Sequence, residues 1–213
     1  MSDFNILTKE TGPLKTNCYL LYDIKKKEAA LFDIGGNIDE FIKIINEEEL
    51  KVKYIFCTHL HFDHVLEVGE IRKILPDAKL VYHKAEEKTL RTLGPFARMF
   101  GFKPKSLGSC DIYSKDGSQF KIGDIEIKTI LSPGHTEGSL CYYFEGNLFS
   151  GDVLFKNGIG RTDLPGGKYE TLLKSVRKLY DLPENTIVYP GHGPSTTIGE
   201  EKYNNQFISI HDI

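Results

Sequence analysis

Thr58-His-Leu-His-Phe-Asp-His64 contains three of the seven histidines of the chain, together with an aspartate. It directly follows the apolar run Tyr54-Ile-Phe-Cys57, which predicts a buried strand. Packing does not explain why a strand would deliver so many imidazoles and a carboxylate to one place. Neutral imidazole nitrogens and carboxylate oxygens are the ligands that Zn²⁺ and Fe²⁺ prefer. The stretch therefore predicts a metal site and a metalloenzyme.

Three further polar residues follow predicted strands and stand next to glycine. His135 lies in Ser132-Pro-Gly-His-Thr136, Asp152 follows Leu148-Phe-Ser-Gly151, and His192 follows Val188-Tyr-Pro-Gly191. Glycine before a ligand lets the backbone approach the metal closely. Each segment is thus a strand that ends and offers one ligand.

The seven candidate ligands are too many for one tetrahedral ion but enough for two. The expected division is His59, His61 and His135 on one ion, and Asp63, His64 and His192 on the other. Asp152 is expected to bridge, since a carboxylate has two oxygens that can serve ions roughly 3.5–4 Å apart. The expected cofactors are therefore two divalent metal ions, with zinc first and iron or manganese as alternatives, because these donors accept all three.

The bulk composition excludes other broad classes of protein. A length of 213 residues predicts one domain over residues 1–213. Lys and Arg number 27 against 30 acidic residues, so the net charge of −3 predicts no nucleic-acid partner. No apolar run approaches the roughly 20 residues of a membrane helix, and the first residues do not resemble a signal peptide. We expect a cytoplasmic protein that acts on a small molecule, without a membrane partner; the oligomeric state stays open.

The cysteines and the remaining histidines carry no predicted metal role. The four cysteines, which form no C-x-x-C pair, are Cys18, Cys57, Cys110 and Cys141. Two of them lie in predicted core strands, which indicates free thiols in a reducing compartment. His83 ends a predicted strand and is expected at the surface or the core edge, and His211 is expected to be solvated.

Predicted strands and helices alternate in both halves of the chain. The predicted strands are 17–23, 29–33, 53–57, 79–82, 120–122, 125–131, 140–144, 148–150 and 187–189. The predicted helices are 39–49, 65–75, 84–102 with an interruption at Gly94-Pro95, and 168–182. Because each half contains strands and ends in a helix, the order predicts two packed sheets with helices outside.

The H-x-H-x-D-H motif and the single His, Asp and His that follow it resemble the signature of the metallo-β-lactamase superfamily. The resemblance runs from Asp33-Ile-Gly-Gly36 to Gly191-His-Gly193 and covers all seven ligand positions. It implies an α/β protein with an αββα sandwich, in which helices flank two mixed β-sheets and the metals lie at one edge between them. The superfamily spans lactam, thioester, phosphodiester and redox chemistry, so the motif alone does not fix the substrate.

Three stretches resemble glyoxalase II-like hydrolases, also called hydroxyacylglutathione hydrolases, in the short form without a C-terminal helical domain. They are Ser132–Ser139, Gly160-Arg-Thr-Asp-Leu-Pro-Gly-Gly167 and Tyr189-Pro-Gly-His-Gly-Pro194. The resemblance implies that a hydroxide between two ions attacks a thioester such as S-lactoylglutathione. Asp63 and Asp152 are the expected catalytic residues: Asp63 orients the hydroxide as well as binding metal, and Asp152 bridges.

Several other residues have two interpretations. Arg161 and Asp163 stand where full-length glyoxalase II usually has Lys and Tyr; they either pair within their loop or orient ligands and contact substrate. Tyr142 and Tyr143 alternate along one strand, so one belongs to the core and Tyr143 is a candidate for the cleft. The apolar residues Phe96, Met99, Phe100 and Phe102 either cap the cleft or pack in the core, and packing is favoured.

Three other functions compete with thioester hydrolysis. The first is a mononuclear non-haem iron persulfide dioxygenase, in which His59, His135 and Asp152 would form the two-histidine, one-carboxylate triad. Hydrolysis is favoured because Tyr189–Pro194 and the following Thr196-Thr-Ile-Gly-Glu200 resemble the short hydrolases better. Phosphodiesterase action on RNA lacks a basic surface, and a non-catalytic binding module would not be expected to keep all seven ligands.

Overall fold

The structure is a computed structural model that describes residues 3–102 and 106–209, so His211 lies outside the described residues. The strands are β1 (Phe4–Thr11), β2 (Thr16–Asp23), β3 (Glu28–Phe32), β4 (Lys51–Phe56), β5 (Lys79–His83), β6 (Ile112–Ser114), β7 (Gln119–Ile122), β8 (Ile125–Leu131), β9 (Leu140–Phe144), β10 (Asn147–Gly151), β11 (Leu154–Phe155), β12 (Gly158–Ile159), β13 (Ile187–Pro190) and β14 (Thr196–Thr197). The helices are α1 (Asp39–Glu47), α2 (Phe62–Val65), α3 (Val68–Ile74), α4 (Glu87–Met99), α5 (Tyr169–Leu179) and α6 (Ile198–Asn204), and a 3₁₀ turn (Lys84–Glu86) precedes α4.

Two six-stranded mixed sheets form the centre of the molecule. The first sheet has the order β1-β2-β3-β4-β5-β6, antiparallel as far as β3 and parallel from there. The second has the order β14-β13-β10-β9-β8-β7, in which only β10 and β13 pair in parallel. A small hairpin, β11-β12, stands apart from both.

The apolar core lies in three layers, one between the sheets and one under the helices on each outer side. Strand β2 shows why: it is buried along its whole length, and alternate side chains face opposite sides of a sheet. Tyr19 and Leu21 pack between the sheets, whereas Cys18 and Leu20 pack on the helix side of the first sheet. Helix α5 covers the second sheet. The expected αββα sandwich is confirmed.

The predicted elements are confirmed apart from two details of the helices. The predicted helix 65–75 is two helices, α2 and α3, separated at Leu66-Glu67. The interruption predicted at Gly94-Pro95 is wrong, since α4 runs through Pro95. Proline removes one helical hydrogen bond, and the burial of Leu93 and Ala97 on the same helix offsets that loss.

Strand β1 had no clear sequence signal. It is an edge strand of alternating exposure, and all eight of its residues pair with β2. Its stability therefore comes from this pairing more than from burial of its own side chains, which is why its composition did not predict it.

The remaining predictions from the sequence concern the cysteines, the position of His83 and membrane-spanning helices. All four cysteines are free, and three of them, Cys18, Cys57 and Cys141, are buried. His83 is partly buried, and its Nδ1 accepts a hydrogen bond from the Ala85 amide. None of the helices in residues 3–102 and 106–209 is long and apolar enough to span a membrane.

Candidate metal centre

Three histidine nitrogens meet just beyond the end of β4. Nε2 of His59 lies 3.1 Å from Nδ1 of His61 and 3.2 Å from Nε2 of His135. The remaining side of the triangle, from His61 Nδ1 to His135 Nε2, is 2.9 Å. Three nitrogens on one tetrahedral zinc, each at about 2.0–2.1 Å, would lie roughly 3.3 Å apart. The spacing thus fits three ligands of a single ion.

A second cluster lies beside the first. Oδ2 of Asp63 is 3.3 Å from Nε2 of His192 and 3.6 Å from Nε2 of His64. Asp152 contacts both clusters: its Oδ1 is 3.3 Å from His64 Nε2, and its Oδ2 is 3.6 Å from Nε2 of both His135 and His192. All seven side chains that the sequence singled out therefore converge on one place in the fold.

Two atoms of this group are buried without a hydrogen bond, namely His64 Nε2 and Asp152 Oδ1. Leaving a buried polar atom unsatisfied costs about 1–3 kcal/mol, so such atoms in a folded protein call for an explanation. Both atoms point into the cluster of ligand-type side chains, where a cation would satisfy them. Three overlapping groups of side chains could hold a metal ion: His59, His61 and His135; His59, His64 and Asp152; and Asp63, His64 and His192.

Hydrogen bonds to carbonyl oxygens orient two of the imidazoles. Nδ1 of His135 donates to the carbonyl of Arg161 at 2.8 Å, and Nδ1 of His192 donates to the carbonyl of Leu14 at 3.1 Å. Since a carbonyl only accepts, the proton of each neutral ring is on Nδ1. Nε2 of each ring is left as a lone-pair donor that faces the cluster.

Asp33 orients two more histidines. Its Oδ2 accepts hydrogen bonds from Nδ1 of His64 at 2.8 Å and from the hydroxyl of Thr58 at 2.7 Å. The Thr58 oxygen, 3.1 Å from Nδ1 of His59, is then free to accept the proton of that ring. Nothing in the sequence pointed to this role of Asp33, which follows β3 and lies 25 residues from Thr58.

The charge states suit metal binding. Burial, reinforced by the neighbouring His64, lowers the pKa of His59 well below its usual range, and burial together with His135 lowers the pKa of His61 to about 3. Burial opposes ionisation of Asp152, yet the attraction of His64 lowers the pKa of that carboxyl. Conversely, carboxylates including Asp152 and Asp63 outweigh burial and raise the pKa of His64, so a cation is favoured at its Nε2. A metal ion would take the place of that proton.

The start of β2 supports the second cluster. Thr16, which is fully buried, donates from Oγ1 to Asp63 Oδ2 at 3.0 Å. Asn17 donates from Nδ2 to the carbonyls of Pro190 and Gly193, on either side of His192. Strand β2 of the first sheet thus holds the loop after β13 of the second sheet, which carries His192.

We expect Thr16→Val to weaken metal binding at the second cluster about 10- to 100-fold, the range typical for residues that orient a ligand. Valine keeps the volume but cannot donate to Asp63. Titration of metal-free protein against a chromophoric chelator measures the loss, with Thr8→Val in β1 as the control for removing a hydroxyl from the same sheet. Equal affinities in the two variants would refute the role of Thr16.

A buried glutamate, Glu86, connects the two ligand loops of the first cluster. Its Oε2 accepts the amide of Leu60 at 2.8 Å, and its Oε1 accepts the amide of Gly138 at 2.9 Å. Leu60 stands between His59 and His61, and Gly138 follows His135 by three residues. No signal in the sequence pointed to this role, because a glutamate at a helix start is by default exposed.

The glycines before His192 and Asp152 stand where a Cβ would collide with neighbouring protein atoms. A Cβ on Gly191 would lie 2.1 Å from Asp152 Oδ1, and a Cβ on Gly151 would lie 2.4 Å from the Thr58 hydroxyl oxygen. Gly151 also has a φ of +50°, which other residues rarely adopt. The loops that carry the candidate ligands therefore pack so closely that no side chain fits at these two positions.

A cavity of about 500 Å³ opens onto both clusters. His61, Asp63, His135, Asp152 and His192 all contribute to its lining. The cavity gives a small molecule direct access to the two groups of ligand-type atoms. This is the arrangement typical of an active site.

Of the residues with two interpretations, Arg161 lies at the cavity and Tyr143 does not. Arg161 lines the cavity, and its guanidinium donates two hydrogen bonds of 2.7 Å to Asp163, with both side chains largely exposed. Tyr142 is buried between the sheets, so its neighbour Tyr143 points the other way, toward the core under α5. Tyr143 is not among the described residues that line the cavity. The structure therefore does not bring Tyr143 to the site.

The four apolar residues at the end of α4 and just after it divide between the cavity and the core, so the preference for packing holds only in part. Phe96 and Phe100 line the cavity, and Phe96 also packs against the core of the first sheet. Phe102 packs against the core of the first sheet, and Met99 is 79% exposed. The cleft is thus capped by two of the four residues.

Comparison with known proteins agrees with this geometry. The model of the metallo-β-lactamase superfamily matches residues 11–192. The hydroxyacylglutathione hydrolase GloC of Haemophilus influenzae is 34% identical over 197 residues, which cover 91% of this chain and 92% of that protein.

Two solved structures are similar over almost the whole chain. The BLEG-1 B3 metallo-β-lactamase has a TM-score of 0.87 and 38% identity, and the match covers 95% of this chain and 99% of that one. A di-iron-bound form of TTHA1623 has a TM-score of 0.85 and 30% identity, covering 95% and 100%. The fold, the ligand set and these matches agree: the chain belongs to the metallo-β-lactamase superfamily and has its fold.

Proposed function

We propose that this metal-dependent hydrolase of the metallo-β-lactamase superfamily cleaves thioesters, with S-lactoylglutathione as the first substrate to test. The observation that carries the proposal is the position of Asp152, whose carboxylate contacts both clusters at the wall of an open cavity. The similarity to a hydroxyacylglutathione hydrolase supports the choice of a thioester.

The proposed ligands are His59, His61 and His135 for one ion and Asp63, His64 and His192 for the other, with Asp152 shared. Divalent ions held by these residues would supply water of lowered pKa and a positive charge for the substrate carbonyl. In the proposal, Asp63 accepts a hydrogen bond from the attacking water, since its carboxylate lines the cavity. Asp33 and Thr58 hold two of the imidazoles in the tautomer that binds metal.

The proposal extends to the domain organisation, the partners and the location of the protein. Residues 1–213 would form one domain that acts on a small molecule without nucleic acid. Three buried free thiols support a reducing compartment, for which we propose the cytoplasm. For a thioester, the departing thiolate is stable enough to leave with little help from an acid, so the proposal requires no separate acid residue in the cavity lining.

The test is metal analysis of protein purified without chelators, paired with a thioester panel. We expect two divalent ions per chain, hydrolysis of thioesters, and loss of activity on chelation that added metal restores. One iron per chain together with O₂ uptake on glutathione persulfide would overturn the proposal in favour of the dioxygenase, in which His59, His135 and Asp152 hold the iron. Hydrolysis of a β-lactam but of no thioester would also overturn it, and it would place the chain beside the similar B3 enzyme.

A further inference from the structure

One face of α4 forms an apolar wall of the cavity. Leu93 and Phe96 of α4 and Phe100, which directly follows the helix, recur at the spacing of one helical face and line the cavity; Thr89 and Thr92 line it nearer the start of the helix. Phe62 of the metal-binding segment also lines it and stacks on Phe100, with ring centroids 5.2 Å apart. The wall thus begins at the ligand loop itself.

A second part of the cavity lining is also apolar. It is formed by the β11-β12 hairpin and the loop that follows it, through Phe155, Ile159, Leu164 and Pro165. The ring of Phe155 lies 6.2 Å from that of His192. Apolar side chains from two parts of the chain therefore line the cavity, and those of the hairpin lie next to the second cluster.

Charged groups are few in the described part of this lining. Besides the ligand carboxylates of Asp63 and Asp152, the charged residue is Arg161, which is already bound by Asp163. A glutathione moiety carries two carboxylates at neutral pH. In residues 3–102 and 106–209 the cavity offers them a single guanidinium, and that one has a partner.

Half-exposed aromatic surface beside a reaction centre is costly unless a ligand covers it. Phe100 is 49% exposed although it lines the cavity. Burial of apolar surface is favourable in proportion to the area removed from water. A chain that lies along α4 would cover this surface and would place the bond to be cleaved at the metal centre.

We propose that the preferred substrate carries an apolar chain, aliphatic or aromatic, that packs against the α4 face while the scissile bond lies at Asp152. The inference rests on the proposed hydrolase function and narrows its substrate class. The chain belongs either to the acyl half or to the thiol half of the substrate, because the wall adjoins ligands of both clusters.

Two thioester series distinguish the halves. One lengthens the acyl group from acetyl to octanoyl on a constant polar thiol; the other keeps acetyl and lengthens an alkyl thiol. Each buried methylene is expected to raise kcat/KM about fourfold until the wall is covered, since burial of a CH₂ is worth about 0.8 kcal/mol. A rise in one series identifies the half, whereas flat or falling values in both series overturn the proposal.

Substitution of Phe100 tests the wall itself. Phe100→Ala is expected to lower kcat/KM about tenfold more for the longest good substrate than for the shortest. Met99→Ala is the matched control, because Met99 is 79% exposed on the same helix and is not among the described lining residues. An equal loss for long and short substrates would mean general damage to the site and would contradict the role of Phe100.

A binding measurement separates this inference from the hydrolase proposal. Calorimetry with non-hydrolysable thioethers of increasing chain length reports on the wall in metal-free protein, where no reaction is needed. Affinity should rise with chain length and fall about tenfold in Phe100→Ala. If affinity rises but no thioester is cleaved by the metal-loaded protein, the hydrolase proposal fails and the apolar site stands; if affinity is flat, the apolar site fails. A thermal unfolding curve shows whether each variant is folded.

Discussion

We expect Asp152→Asn to lower kcat/KM for thioesters about 10³-fold, equivalent to about 4 kcal/mol of transition-state stabilisation. Asparagine preserves the volume but not the charge, and Asp152 is the side chain that contacts His64 of one cluster and His135 of the other. Metal content should therefore fall from two ions to one or none. Metal analysis and steady-state kinetics on the same preparation measure both effects.

The matched control is Asp77→Asn, which removes an exposed carboxylate from the turn before β5. This variant should keep both ions and the parental rate. If Asp152→Asn bound two ions and worked at the parental rate, the assignment of the metal centre would be wrong.

Glu86→Gln is expected to have the largest effect on stability. Glutamine keeps one oxygen that can accept a hydrogen bond, but its NH₂ group would face the backbone N–H of either Leu60 or Gly138. Because both groups are donors, that N–H would lose its hydrogen bond. A buried donor left unsatisfied costs about 1–3 kcal/mol, and the lost charge-assisted bond adds to this. We expect the free energy of unfolding to fall by about 3 kcal/mol and Tm by about 9 °C for a chain of this size.

The same substitution should also loosen the first metal site. Glu86 fixes the loop between His59 and His61 relative to the loop after His135, so the ion held by these three residues should bind more weakly than the ion of the second cluster. Stepwise metal titration shows which site is affected. Glu87→Gln, at the neighbouring exposed position, is the control and should change neither stability nor metal binding by much. Equal weakening of both sites would mean that Glu86 acts only through general stability.

The sequence predicted which histidines and aspartates would converge, because each of them is local to a strand end. Asp63 and His64 follow β4 within a few residues, and His135, Asp152 and His192 each follow a strand and a glycine. The carboxyl ends of β4, β8, β10 and β13 meet at one edge of the two sheets, so recognising the strands was nearly enough to bring the ligands together. The layered fold followed from the same alternation of strands and helices.

By itself, then, the sequence determined the chemistry of the centre, since histidine and aspartate next to strand ends carry that information in residue type and short spacing. Only the tertiary structure decided what holds and surrounds the centre. Asp33 reaches His64 across 31 positions, Thr16 reaches Asp63 across 47, and Glu86 reaches Gly138 across 52. Such partners depend on how the two sheets and α4 pack, and neither periodicity nor local spacing encodes that packing. For the same reason, the apolar wall of α4 looked like ordinary core until the fold placed it beside the metal ligands.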